Sequence, residues 1–184
     1  MNRPFISGLT LVELLVALAL ISILLGFGVP SAQAILAKYR LTAHINDIGR
    51  LLHISKTHSI VNYEITTLCP TLNMQKCDRD WRLPIMLFVD QNNNGLRDNT
   101  EALISSVSTR AHLHSVKGPK NPIKFYDSGI TASPVSITIC THNTDYQYIN
   151  RALVVSLQGR IRLSSDLNND GFHQRSNGNR LSCI

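Results

Sequence analysis

Gly8-Leu9-Thr10-Leu11-Val12-Glu13-Leu14 begins an almost unbroken apolar run that ends at Val29, and the reading of that run decides the fold. Glu13 is the only charged residue between Leu9 and Val29; Ser22, Gly26 and Gly28 interrupt the run mildly. As a helix rising about 1.5 Å per residue, the stretch reaches roughly 30 Å, the thickness of a bilayer core. A carboxylate in such a helix costs on the order of 2.5–3.5 kcal/mol at mid-membrane, so Glu13 calls for a compensating partner.

A short polar segment carrying Arg3 precedes the run, as in a secretory signal peptide, and Ser31-Ala32-Gln33-Ala34 offers a small-residue cleavage site after it. The order of parts argues against that reading, because the glycine comes before the apolar run and the glutamate follows at close spacing. At these residues the chain resembles the type IV pilins and pseudopilins. Their signature is a short basic leader, a glycine, then a hydrophobic residue, Thr, Leu, a hydrophobic residue, Glu and Leu. The resemblance implies cleavage after Gly8 by a prepilin peptidase and N-methylation at Leu9, which stands where the family usually has Phe. It implies that Glu13 pairs with the terminal amine of a neighbouring subunit during filament assembly. It also implies a single-pass inner-membrane protein with its C-terminal domain in the periplasm, later part of a pilus at the cell surface. Other minor and major pilins are then the partners.

The remaining chain divides accordingly. Residues 1–8 form the leader, 9–29 the transmembrane and assembly helix, 30–62 its amphipathic continuation, and 63–184 a β-rich globular domain with a basic tail. Pro30 is expected to kink the helix without ending it, since Ala- and Leu-rich sequence resumes at once. Ile35, Tyr39, Ile45, Ile48, Leu52 and Ile54 make an apolar stripe at helical spacing, with Lys38, Arg40, Asp47, Arg50 and Lys56 largely off it. Beyond Tyr63 the periodicity shortens to strand-like runs at 64–68, 84–90, 102–107, 111–117, 123–126, 135–140, 151–157 and 160–164. No strand–helix–strand alternation follows, so the sheet is expected to be antiparallel and the fold α+β: a long N-terminal helix packed on strands.

Formal charge is +6 and the pI about 9.4, which suits anionic partners and says nothing about fold. Four cysteines behind a membrane-directed leader point to an oxidising compartment. They allow three pairings, of which Cys69–Cys77 and Cys140–Cys183 are expected; a zinc site is the rival, without any C-x-x-C to support it.

Trp81, the strand 85–90, Asn92, Asn94-Gly95, Asp98 and Glu101, then a strand ending in Cys140, Arg151-Ala152-Leu153-Val154-Val155-Ser156 and Gly159-Arg160-Ile161-Arg162 resemble the FimT/GspH group of minor pilins. The group implies either a minor pilin of a type IV pilus, some members being associated with DNA uptake in natural transformation, or the minor pseudopilin of type II secretion with no DNA role. Arg160 and Arg162 stand two apart on one strand face, a compact arrangement for contacting successive phosphates. The Gly/Asn/Ser-rich tail is expected to be flexible enough to bring Arg175 and Arg180 alongside, with Phe172 and His173 adding stacking. Four such arginines on duplex DNA imply that log K falls with log salt at a slope of about −3.6. The competing reading is a solvated edge strand whose arginines discourage pairing.

Asp90-x-Asn92-x-Asn94-Gly95, then Asp98 and Glu101, meets the EF-hand loop pattern, making calcium a candidate cofactor, yet the flanking sequence reads as strand and favours a hairpin loop. Asp166-x-Asn168-x-Asp170-Gly171 repeats the start of the pattern but has Asn177 at its twelfth position. His112 and His114 share a strand face without a third ligand. No H-E-x-x-H, G-x-S-x-G or P-loop is present, so neither catalysis nor a small-molecule substrate is expected.

Overall fold

The computed structural model describes residues 10–109, 114–142, 144–175 and 178–183; the expected processing positions Gly8 and Leu9, and His112, lie outside them. A single helix, α1 (Leu11–Asn62), runs on through Pro30. It starts where it does because Thr10-x-x-Glu13 has the sequence of a capping box, and the Thr10 Oγ1 accepts the Glu13 amide at 3.3 Å. Glu13 in the first turn also complements the helix dipole.

The chain divides into two compact units, Met1–Ala37 and Lys38–Ile184. In the first, the described apolar side chains between Leu11 and Leu25 are all exposed. Among the described residues no helix is long and apolar enough to cross a membrane. The apolar stretch with described side chains, 11–26, is about 24 Å long, whereas the run in the sequence extends past both its ends.

In the second unit the helix becomes amphipathic. Leu41, Ile45, Ile48, Leu51 and Leu52 are buried at intervals of three and four, with His44, Ser55 and Ser59 on the same face. The stripe therefore begins later than the sequence suggests: Ile35 and Tyr39 are exposed, and Ile54 is only half-buried. Ile35 precedes the compact unit, and Tyr39 lies about 200° of helical rotation from Leu41.

Eight strands follow: β1 (Thr66–Pro70), β2 (Ile85–Val89), β3 (Leu103–Val107), β4 (His114–Lys117), β5 (Ile123–Phe125), β6 (Val135–Thr141), β7 (Arg151–Val155) and β8 (Ile161–Leu163). They form two antiparallel sheets, β3-β2-β1-β5 and β4-β6-β7-β8. All five positions of β1 and of β2 are buried, because both faces of the first sheet are covered. On one face Ser55 of α1 meets Thr66, with the two hydroxyls 2.8 Å apart. On the other, Met74 and Cys77 pack on Cys69, Met86 and Phe88. The second sheet buries Ile137, Ile139, Leu153 and Val155. A Cβ at Gly49 of α1 would sit 3.7 Å from Leu153, so this glycine lies at the contact between helix and sheet.

Two disulfides close the domain, Cys69–Cys77 and Cys140–Cys183. The first ties the cap of β1 and β2; the second anchors the C-terminal tail to β6. Their sequence separations of 8 and 43 residues correspond to about 2.5 and 4 kcal/mol of lost unfolded-state entropy. Urea denaturation of Cys140→Ser/Cys183→Ser should therefore show the greater loss, with Cys69→Ser/Cys77→Ser losing roughly 1.5 kcal/mol less. The reverse order would mean that packing under the 69–77 loop outweighs chain entropy.

Candidate nucleic-acid interface

The β7–β8 turn is built on Gly159. Its amide donates to the Ser156 carbonyl at 2.8 Å, and the Ser156 amide donates to the Arg160 carbonyl at 3.0 Å. Gly159 has φ +69°, and a Cβ there would lie 1.9 Å from the Gly129 carbonyl oxygen, so only glycine fits. The Thr131 amide donates to the Leu157 carbonyl at 2.9 Å, and Thr131 Oγ1 donates to the Ser156 carbonyl at 3.1 Å. The turn is thus clamped from the side, and the residues after it leave at a defined angle. The last strand begins one residue later than the sequence suggests, so Arg162 lies on β8 and Arg160 immediately before it; both are exposed and make no ion pair among the described residues.

The tail is folded where composition suggested flexibility. Asp166 Oδ2 accepts the Gly171 amide at 2.8 Å, and Asn168 Oδ1 accepts from Gln174 Nε2 at 2.7 Å. Gln174 then pairs with Arg180 as an antiparallel bridge. Arg180 is exposed but committed to this hairpin: it contacts Asp170 at 2.9 Å and lies 4.0 Å over the Phe172 ring. The Phe172 amide, and with it Arg180 and Asn168, hold the Asp170 carboxyl below its usual range. Arg180 therefore does not stand beside Arg160 and Arg162 as an uncommitted charge, and one face of Phe172 is taken. His173 is half-buried with Nδ1 3.0 Å from the Ser164 hydroxyl; burial, then the Arg151 charge, push its pKa down, so it adds no cation near neutrality. Arg151 donates to the Tyr148 and Asn150 carbonyls, each at 2.8 Å, and serves the fold. Arg175 remains exposed; its guanidinium donates to the Ser182 carbonyl at 2.9 Å and forms no ion pair among the described residues.

The 90–101 loop is organised by a cation already in the chain. Asp90 is fully buried, and its Oδ2 accepts from Lys124 Nζ at 2.8 Å and from Thr67 Oγ1 at 2.7 Å. The same ammonium reaches Asn93 O at 3.2 Å and Asn93 Oδ1 at 2.6 Å. Glu101 accepts the Gln91 and Asp98 amides, while Asp98 accepts from Asn92 and Asn94. The oxygens proposed for calcium are thus satisfied internally, and Lys124 supplies the positive charge, so the residues present do not fit a calcium site. Lys124, 34 residues from Asp90, carries no local signal; the signal available was the carboxylate closing a fully apolar strand, which demands a buried partner.

A family model described as type II transport protein GspH matches residues 44–159. The chain belongs to the GspH family. A second model, the prokaryotic N-terminal methylation motif, matches residues 5–29. No curated relative matches. Among solved structures, the type IV minor pilin FimU of Pseudomonas aeruginosa (strain PAO1) aligns at a TM-score of 0.55 and 17% identity, covering 69% of this chain and 90% of FimU. The minor pseudopilin EpsH from the Type 2 Secretion System of Vibrio cholerae aligns at 0.47 and 13% identity, covering 66% and 93%. The FimU likeness shows the fold: a long helix on antiparallel strands, type IV pilin-like. The GspH match ends one residue before Arg160, so the basic β8 edge and tail lie beyond it.

Gly159→Ala should cost at least about 2 kcal/mol, from left-handed strain plus overpacking against Gly129, read by urea denaturation. Lys124→Met strips a buried carboxylate of its cation and should cost about 3–5 kcal/mol. Millimolar calcium should raise the Tm of that variant and leave the parent unchanged; an equal rise in both would show that the parent loop accepts the ion after all.

Proposed function

We propose that this chain is a minor pilin of a type IV pilus that helps initiate assembly and holds DNA non-specifically during uptake in natural transformation. Prepilin peptidase cleaves after Gly8, the new terminus at Leu9 is methylated, and residues 9–29 hold the chain in the inner membrane with Lys38–Ile184 in the periplasm. Assembly with other minor and major pilins then pairs Glu13 with a neighbouring amine. The match to the methylation motif and the family fold support this part.

The observation that supports the DNA reading is the pair Arg160 and Arg162, exposed just before and on the edge strand β8 and unpaired by any described carboxylate, with Arg175 on the tail nearby in sequence. The Asp170 carboxylate is engaged by Arg180. Such a surface binds backbone phosphate without reading sequence, at roughly 10⁻⁴ to 10⁻⁶ M near physiological salt, and several copies or repeated contacts raise the effective affinity. The second reading is the minor H-type pseudopilin of a type II secretion system, favoured by the description of the family model that matches most of the domain.

DNA titrations of the full chain in uncharged detergent separate the two. Arg160→Gln/Arg162→Gln should weaken binding and reduce the steepness of log K against log salt by about 1.8. Absence of binding by the parent at about 50 mM salt, or equal binding by the double variant, removes the DNA role and leaves the secretion reading.

A further inference from the structure

We propose that this surface prefers single-stranded DNA, one base of which enters a pocket formed by Tyr63, Glu64, Ile65, Gln91, Tyr126 and Asp127. This rests on the DNA reading and adds to it the form of nucleic acid and the site that selects it.

Tyr63 occupies a position that suits other residues better. The Glu64 amide donates to the Ser59 carbonyl at 3.3 Å, closing α1 in a Schellman-type turn with Tyr63 left-handed at φ +56°. Glycine or asparagine is the usual choice there, and a tyrosine strains the backbone. Packing does not account for the choice, because Tyr63 is 82% exposed. An aromatic side chain kept on strained backbone and open to solvent calls for a ligand that covers its ring.

The pocket beside it has a volume of about 320 Å³, room for one nucleobase. Its second ring, Tyr126, opens a tight turn in which the Gly129 amide donates to the Tyr126 carbonyl at 2.7 Å. Three other cavities, of about 210, 280 and 450 Å³, have no Phe, Tyr or Trp in their lining. Stacking on aromatic rings is open to the exposed bases of a single strand and closed to those of an intact duplex. Glu64 and Asp127 repel phosphate, so the pocket favours a neutral base over the backbone. Their oxygens also accept hydrogen bonds from a base amino group, as on cytosine. The backbone then falls to Arg160. Its neighbour Gly159 is packed against the Gly129 carbonyl, which keeps the Tyr126 and Arg160 Cα atoms within about 17 Å. A few nucleotides of single strand cover that distance.

Fluorescence anisotropy with the full chain in uncharged detergent, at about 50 mM salt, compares labelled oligodeoxycytidylate, oligothymidylate and a mixed-sequence duplex. The parent should bind the single strands more tightly than the duplex, and the cytosine strand more tightly than the thymine strand. Tyr63→Asn should weaken single-strand binding at least about fivefold, leave duplex binding unchanged and keep or raise the Tm. Tyr63→Phe should behave as the parent, and Tyr126→Leu carries the same test through the second ring. Glu64→Gln/Asp127→Asn removes two negative charges and should strengthen binding of all three DNAs while erasing the preference for cytosine. A preference that survives this double variant overturns the role of the carboxylates. Single-strand binding unchanged in both tyrosine variants, or lost equally with duplex binding, overturns the base pocket; the DNA reading is then decided by Arg160→Gln/Arg162→Gln alone. If the parent binds none of the three, the DNA reading and this inference fall together.

Discussion

Burial of one helical stripe holds the domain together. Leu41, Ile45, Ile48, Leu51 and Leu52 of α1 are almost completely removed from solvent, each contributing about 1.5–3 kcal/mol of hydrophobic free energy before entropic costs. The same half-helix meets β1 through Ser55 and Thr66 and meets β7 where Gly49 faces Leu153. Two sheets that share no strand are thereby brought onto one scaffold. Neither four-stranded sheet would keep its apolar face covered without the helix, which is why the long helix cannot be treated as a mere anchor.

Charge is managed by neutralising carboxylates from within. Both Asp/Asn/Gly loops look, letter by letter, like cation-binding sequences, and in both a side-chain cation meets a carboxylate: Lys124 at Asp90 and Arg180 at Asp170. The two differ in consequence. Asp90 is fully buried, so its partner stabilises the meeting of β1, β2 and β5, whereas Asp170 is at the surface and its pair mainly shapes the tail. What remains uncompensated among the described arginines of β8 and the tail is Arg160, Arg162 and Arg175.

Rigidity matters as much as charge at that edge. The glycine turn before Arg160, clamped against Gly129 and Thr131, and the disulfide that ties the tail to β6 leave that edge little conformational freedom to lose; under the proposed DNA reading this lowers the ordering cost of binding. A tail left as loose as its Gly, Asn and Ser content suggests would present the same charges with a larger ordering penalty. The tail instead spends its Asn, Asp and Gln side chains on local turns, for which those residue types are well suited.

Much of the fold is legible along the chain, because its determinants are local. The capping sequence at Thr10, the apolar run, the later amphipathic period and eight short β-runs depend on residues within a few positions of one another. Each expected strand has its counterpart, with its described ends no more than two residues from those expected; residues 111–113 of the fourth lie outside the described residues. Pairing was not legible. Alternation says that β4 and β5 are strands, but nothing in either says that β4 joins β6 while β5 crosses to β1. The stripe on α1 starts later than its spacing suggests, since Ile35 and Tyr39 are exposed and the buried face begins at Leu41. For the candidate site, the sequence by itself determined that Arg160 and Arg162 stand two residues apart after a glycine turn, whereas the strand that follows starts only at Ile161. Only the tertiary structure decided that Lys124 fills the loop at Asp90 and that Arg180 is committed to Asp170. Those outcomes depend on contacts between residues far apart in the chain, and such contacts are set by three-dimensional packing that no local pattern encodes.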